Sequence, residues 1–135
     1  MSKNHVLLAF LCSFCFTLSV SADYIDGQRA YASGDYEGAI LEWTKVAQDG
    51  NARAQYNLGW MHANGRGIAQ DFQEAIKWYT KSAEQGNVNA QYNLGNLYLR
   101  GQGASQNDNL AFSWFIKAAE QGDAPAQYNL GRMYL

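Results

Sequence analysis

Beyond position 22 a side-chain chemistry would have to be built from one histidine (His62), four serines (Ser33, Ser82, Ser105 and Ser113) and a close pair of acids, Asp71 and Glu74. One imidazole falls short of a histidine-based metal site, and in the internal register of the chain His62 stands where Tyr98 and Tyr134 stand, which is a packing position. None of the serines is followed by a lysine three residues on or lies in Gly-x-Ser-x-Gly, the settings that activate a serine. Asp71 and Glu74 have the proximity that paired acid/base work requires, but their spacing is also that of a helix capping box, which explains both. Gly65-Arg66-Gly67 and Gly101-Gln102-Gly103 lack the Lys-Ser/Thr ending of a phosphate loop and follow helical segments, so they read as helix-ending loops. Cys12 and Cys15 are the only cysteines, which excludes thiol catalysis, disulfides and cysteine zinc sites from the chain after residue 22. No catalytic residue, metal or cofactor is expected.

The first 22 residues differ in kind from the rest. Lys3, an apolar run from Val6 to Val20, and Val20-Ser21-Ala22 before Asp23 have the layout of an export signal cleaved after Ala22. The run is shorter than the ~20 residues of a bilayer-crossing helix, and the bulky Leu11 and Phe14 before the cysteines argue against lipidation. A periplasmic or secreted protein is expected, with no stable membrane insertion once the signal is removed. What remains carries all 12 acids of the chain and no basic patch, so nucleic acid and anionic membranes are poor partners.

The elements that hold these residues follow from repetition. AQYNLG begins at Ala54, Ala90 and Ala126, a step of 36 residues each time, and the same step pairs Ala75, Trp78, Lys81 and Ala83 with Ala111, Trp114, Lys117 and Ala119. Ala54, Leu58, Met61 and His62 form one helical stripe and Ala75, Trp78, Tyr79, Ser82 and Ala83 another, so each unit is a helix pair. Asn51, Asn87, Asp123 and Asp71 are placed to cap helices, Gly50, Gly86 and Gly122 to stop them, and Pro125 falls in a first turn. Gly59, Gly95 and Gly131 lie inside helices, at about 1 kcal/mol each relative to alanine; close helix-to-helix approach is the compensation expected. Such units stack because none buries its apolar face alone.

From Ala54 the spacing is A-x3-L-G-x2-[H/Y]-x2-G-x-G-x3-[D/N]-x3-A-x2-W-[Y/F]-x2-[S/A]-A-x2-G, filled through Leu58, Gly59, Gly65, Gly67, Asp71, Ala75, Trp78 and Gly86. It is filled again through Leu94, Gly95, Gly101, Gly103, Ala111, Trp114 and Gly122, with Asn107 where the motif usually has Asp. The pattern resembles the Sel1-like repeat, and Ala30 to Ile40, which lacks the Gly-x-Gly loop, resembles a tetratricopeptide helix pair. The organisation expected is a signal peptide over 1–22, a tetratricopeptide-like pair over 23–53, Sel1-like repeats over 54–89 and 90–125, and a first helix of a third over 126–135. The resemblance implies an all-α, right-handed α/α superhelix of about seven helices whose first helices line a concave, protein-binding surface. Some cysteine-rich secreted relatives have been linked to β-lactam binding or hydrolysis, but the chain has neither their cysteines nor a Ser-x-x-Lys pair.

Counting ~100° per residue from Leu58 sets Tyr56 and Trp60 nearly opposite the core stripe and Asn57 on its flank. The expected contacts of a bound segment are therefore Tyr56, Asn57 and Trp60, then Tyr92, Asn93 and Asn96, then Tyr128, Asn129 and Arg132. The asparagines have a competing use in joining neighbouring helices, whereas Trp60 breaks the repeat, and Trp78 and Trp114 are expected in the core. Leu130 and Tyr134 would face a second helix that does not follow, and a self-association surface is expected there. Two functions fit: a non-catalytic interaction module gripping a protein segment on its first helices, or an assembly subunit joined through its last helix.

Overall fold

The computed structural model describes residues 24–135, and the expected export signal lies outside them. Helix α1 occupies residues 24–33. It is followed by α2 (Tyr36–Gln48), α3 (Ala52–Asn64), α4 (Phe72–Glu84), α5 (Val88–Arg100), α6 (Asp108–Glu120) and α7 (Ala124–Met133), with no strand among the described residues. The fold is an all-α stack of helix pairs, with α1, α3, α5 and α7 as first helices and α2, α4 and α6 as second helices.

Each boundary has a local cause. Asn51, Asn87 and Asp123 accept from the backbone N–H of Ala54, Ala90 and Ala126, each at 2.9 Å, which satisfies donors the first turn leaves free. Asp71 accepts from the N–H groups of Gln73 and Glu74, and Asn107 from that of Leu110. The capping box is only half made: Glu74 pairs with Lys77 instead of reaching back, and the Asp71 N–H donates to the His62 carbonyl. Gly65 and Gly101 end α3 and α5 in left-handed conformation, φ 61° and 65°, confirming the Gly-x-Gly segments as helix-ending loops. The second glycine of each loop permits a close approach, since a Cβ at Gly67 would lie 2.4 Å from the Tyr36 Cβ and one at Gly103 2.5 Å from the Phe72 carbonyl carbon. The loop of each unit therefore rests on the start of the preceding second helix.

Two of the three mid-helix glycines, Gly59 and Gly95, serve packing, whereas Gly131 meets nothing within 4 Å. A Cβ at Gly59 would sit 2.5 Å from the Tyr79 ring and one at Gly95 2.7 Å from the Phe115 ring, so a buried aromatic of each second helix lies directly on the backbone of its first helix. Three core clusters follow one another along the stack, centred on Trp43, Leu58 and Met61, then Tyr79 and Leu94, then Phe115. Burying Leu58 or Leu94 contributes about 1.5–3 kcal/mol each. Trp78 and Trp114 are not in the core of their own units as expected. They are partly buried against the preceding cluster, with Lys81 and Lys117 ammonium groups 4.9 and 4.6 Å from their ring centroids.

A glutamine relay ties the pairs together. Gln55 and Gln91, both buried, donate to the carbonyls of Ala47 and Ala83 at 3.1 Å and accept from Gln85 and Gln121 at 2.8 and 2.9 Å. Gln85 and Gln121 also donate to the carbonyls of Gly50 and Gly86, so one side chain spans three successive helices. Buried amides left without partners would be costly, and the repeat supplies each in turn.

Candidate functional site

The first helices carry a run of concavities. A cavity of about 360 Å³ is lined by Tyr24, Gln28 and Tyr31 of α1, Trp43 of α2, and Tyr56, Asn57, Trp60 and Met61 of α3. Trp60 is also a wall of a second cavity of about 390 Å³, whose lining includes Asn64, Gln70, Asn93, Asn96, Arg100 and Gln102. Five of the eight residues lining the first are aromatic, and five of the eleven lining the second are amides. A third, of about 200 Å³, lies between α5 and α7 against Leu99, Asn129, Arg132 and Met133.

Of the nine expected contact residues, Tyr56, Asn57 and Trp60 thus meet at the first cavity, Asn93 and Asn96 at the second, and Asn129 and Arg132 at the third. Tyr92 is turned toward the core, its ring 5.9 Å from that of Phe115, while Tyr128 is 67% exposed with the Arg132 guanidinium 5.9 Å from its centroid. The expectation that Tyr56 and Trp60 stand clear of the core needs correction. Both are partly buried: Trp60 packs on the first and second clusters and meets Tyr31 edge-on at 6.2 Å, and Tyr56 meets Tyr79 at 5.9 Å. A projection around one helix misses this, because α3 is packed on by α2, α4 and α5.

The asparagines divide. Asn93 donates to the Tyr79 hydroxyl at 3.3 Å and Asn129 to the Asn96 side-chain Oδ1 at 3.4 Å, so these two join helices. Asn57 makes no side-chain hydrogen bond among the described residues, and its amide is accessible at the aromatic cavity. Burial pushes the Tyr79 hydroxyl well above the ordinary tyrosine range, helped by Tyr56 and opposed by the Asn93 bond. Burial raises Tyr56 likewise. Both hydroxyls are neutral near pH 7 and offer hydrogen bonds rather than charge.

On the last helix, Leu130 is partly buried against the third cluster and is not the free apolar side chain expected. Tyr134 is 75% exposed, although its ring meets Phe112 edge-on at 5.4 Å. Gly131 has nothing within 4 Å of its Cβ position, the place where Tyr79 and Phe115 press on Gly59 and Gly95.

Ser33, Ser82, Ser113 and Asp71, weighed above for chemistry, have structural duties. Ser82 is buried and donates to the Ala52 carbonyl at 2.7 Å, Ser33 and Ser113 donate within their helices, and Asp71 is a cap. His62 is partly buried with Nδ1 unpartnered, and no group of three metal-ligating side chains occurs among the described residues. No described helix is long and apolar enough to cross a membrane.

Sequence reasoning missed Tyr24, Gln28 and Tyr31, which complete the aromatic cavity from outside the AQYNLG repeat. Of the arginines of this layer it chose Arg132 and missed the other three. Net charge suggested no basic patch, yet Arg53, Arg66, Arg100 and Arg132 all belong to the first helices and their loops, where α3, α5 and α7 hold no acid. The signal was present: Arg53 is seven residues before Trp60 and Arg100 four after Asn96, both in phase with the stripe already chosen.

Comparison with known proteins agrees with this architecture. The Sel1 repeat matches at residues 52–87, 88–123 and 124–135. A Sel1 repeat protein from Oxalobacter formigenes superposes with a TM-score of 0.77 at 35% identity over 82% of this chain and 45% of its own. A protective antigen present in uropathogenic Escherichia coli strains, displaying an SLR fold, superposes with a TM-score of 0.80 at 38% identity over 85% of this chain and 26% of its own. This chain thus spans under half the length of either. Helicobacter pylori cysteine rich protein B shares the fold, with a TM-score of 0.72 at 18% identity over 87% of this chain and 93% of its own. No curated protein matches in sequence. Helix pairs in register, an aromatic of each second helix on a glycine of the first, and matches over three successive units lead to one assignment: the chain belongs to the Sel1 repeat family.

Proposed function

We propose that this protein is an exported, non-catalytic interaction module that holds a segment of another protein along its first helices. The observation that carries this reading is the aromatic cavity on α1 and α3 running past Trp60 into the amide-lined cavity on α5. Such a surface has apolar depth for a side chain and, at Gln28, Asn57 and Gln102, unattached amides for a backbone, the two needs of segment recognition. Sel1 repeats typically mediate contacts between proteins, which supports the same reading. Export rests on the charge and apolar pattern of residues 1–22, and the mature form would begin at Asp23 in the periplasm or outside the cell.

Affinity capture on the mature protein tests the surface. Asn57→Ala, which breaks no hydrogen bond of the fold, should release a captured partner several-fold more readily, whereas undiminished capture would move the surface elsewhere. Intact mass of the periplasmic form should correspond to a start at Asp23; a retained leader or an added lipid would overturn the export reading.

A second reading, assembly through the last helix, rests on the exposed rings of Tyr128 and Tyr134 beside the open space over Gly131. It expects light scattering to show concentration-dependent association that Tyr134→Ser abolishes. A monomer at all concentrations would dismiss it.

A further inference from the structure

The ionised side chains of this protein are sorted by layer. Helices α3, α5 and α7 contain no Asp or Glu, and their cations are Arg53, Arg100 and Arg132, with Arg66 added by the loop after α3. The second helices hold two acids each and all the lysines of the described residues. Asp35, Asp71 and Asp123 are engaged at helix N-termini, Asp26 of α1 is paired with Arg29 at 2.9 Å, and Asp49 ends α2, outside the first helices. A chain of net charge −2 therefore presents, along α3 to α7, a layer of one sign built only from arginine.

Two of these arginines, Arg100 and Arg132, line cavities, and two, Arg66 and Arg132, lie over aromatic rings. All four are exposed, and none is in an ion pair among the described residues. Arg53, Tyr56, Asn57 and Trp60 follow the i, i+3, i+4, i+7 pattern of one helix face. The Arg66 guanidinium lies 6.0 Å from the Trp60 ring centroid and 5.0 Å from that of Tyr36. Arg100 lines the amide cavity and Arg132 the one beyond, joined through the Asn129–Asn96 hydrogen bond. A visitor leaving the aromatic cavity in either direction along α3, or crossing to α5, meets a guanidinium and no carboxylate of these helices.

We propose that this face selects an acidic protein segment, one that places Asp or Glu side chains on the arginines beside a bulky apolar side chain in the Trp60 cavity. The proposal rests on the binding reading above and specifies its partner. Guanidinium forks match carboxylates bidentately, and cations unopposed in a concave surface raise the local concentration of anionic ligand. Adjacent packed helices lie about 8–10 Å apart and an extended chain advances about 3.3 Å per residue. The acid that reaches Arg100 is therefore about three residues from the side chain anchored at Trp60. A nucleic acid is disfavoured by the wide spacing of the cations and the acidic outer layer. An acidic polysaccharide repeats its carboxylates evenly and carries no apolar side chain, whereas here one cavity lined by five aromatics and Met61 stands beside the arginines.

A phage-displayed library of random peptides, selected on the purified full chain, tests this. The winners should be enriched in Asp and Glu near an aromatic or leucine. A synthetic winner should lose at least about tenfold in affinity with Arg100→Gln or with its acids changed to amides, weaken with added salt, and be indifferent to Arg29→Gln. Because Arg100 is exposed, its variant should keep the same helical spectrum; should it not, Arg132→Gln carries the same expectation. Winners that are neutral or basic yet still need Asn57 would overturn the acidic preference and leave the binding reading standing. Winners that ignore every first-helix substitution, or no winners at all, would overturn both. Displacement of the acidic peptide by a uronic-acid oligosaccharide or single-stranded DNA at lower concentration than by the peptide itself would overturn the choice of a protein segment.

Discussion

The same substitution at equivalent positions of two repeats should change stability in opposite directions. Gly95→Ala and Gly131→Ala each exchange the least helix-favouring ordinary residue for the most favouring, a gain of about 1 kcal/mol in a helix interior. At Gly95 the new methyl would lie 2.7, 2.8 and 3.1 Å from three atoms of the Phe115 ring, where ordinary contact begins near 3.4 Å. The ring must retreat by more than half an ångström, and Phe115 is fully buried at the centre of the third cluster. Overpacking of this kind costs about 1–3 kcal/mol, so the net effect is a loss of about 1 kcal/mol. Gly131 has no atom within 4 Å of the same methyl, and Gly131→Ala keeps its helix gain, reduced to about 0.5 kcal/mol by fraying near the end of α7. Thermal unfolding followed by far-ultraviolet circular dichroism should show Gly95→Ala melting about 4 °C or more below the parent and Gly131→Ala at or above it. Adding Phe115→Leu to Gly95→Ala should recover part of the loss, a favourable coupling of at least ~0.5 kcal/mol in the double-mutant cycle. If Gly95→Ala stabilises as Gly131→Ala does, the aromatic is not what holds glycine in this position.

Three further outcomes follow from the same geometry. Gln91→Ala should cost about 1–3 kcal/mol in urea unfolding, because the Ala83 carbonyl and the Gln121 amide lose a partner in a buried setting; a neutral result would make the relay incidental. Trp60→Ala should destabilise by about 2 kcal/mol, less than the 3–5 of a fully buried tryptophan, since its ring belongs partly to two cores; unchanged stability would return Trp60 to the surface role first expected of it. Tyr79 is held protonated in the fold, whereas in the unfolded chain it ionises near pH 10. Above that pH the unfolded state has lost a proton the folded state retains, so stability should fall with rising pH, and more steeply in the parent than in Tyr79→Phe. Parallel stability–pH curves for the two would refute the assignment.

The stack was legible because repetition supplied its own control. Caps, stops and the glycine–aromatic contact each recur at a step of 36 residues, and each has a local cause that a sequence displays. Errors arose where a residue answers to more than one neighbour. Trp78 keeps helical phase with the core of its own unit, yet it packs backward onto the preceding one. Trp60 and Tyr56 point away from one stripe and into contact with another, because in a stack the side of a first helix opposite its own partner is shared with the units before and after. Glu74 had the spacing for a reciprocal cap but also had Lys77 one turn on, and the ion pair formed.

The site was harder to read for a related reason, which bears on where the proposed binding would gain its specificity. Positions identical in all units, such as Gln55, Gln91 and Gln127 or Gly59 and Gly95, are engaged in joining helices. The recognition proposed above would fall to places where the units differ on the same face. Arg53 corresponds to Asn89 and Pro125, Trp60 to Asn96 and Arg132, Asn64 to Arg100, and Arg66 to Gln102. A search for repetition passes over these positions by design, and a net charge of −2 hides that the cations among them are all arginine with no acid in their helices. Asn57, Asn93 and Asn129 show the boundary between the two uses: one residue type in one register, with two copies joining helices and one left open at a cavity. The invariant part of the repeat fixes the spacing between first helices, and the variant part writes on that ruler which side chains a bound segment meets, so changes at the variant positions should alter partner choice with little effect on the stack wherever, as at Arg53 and Arg100, the side chain is exposed.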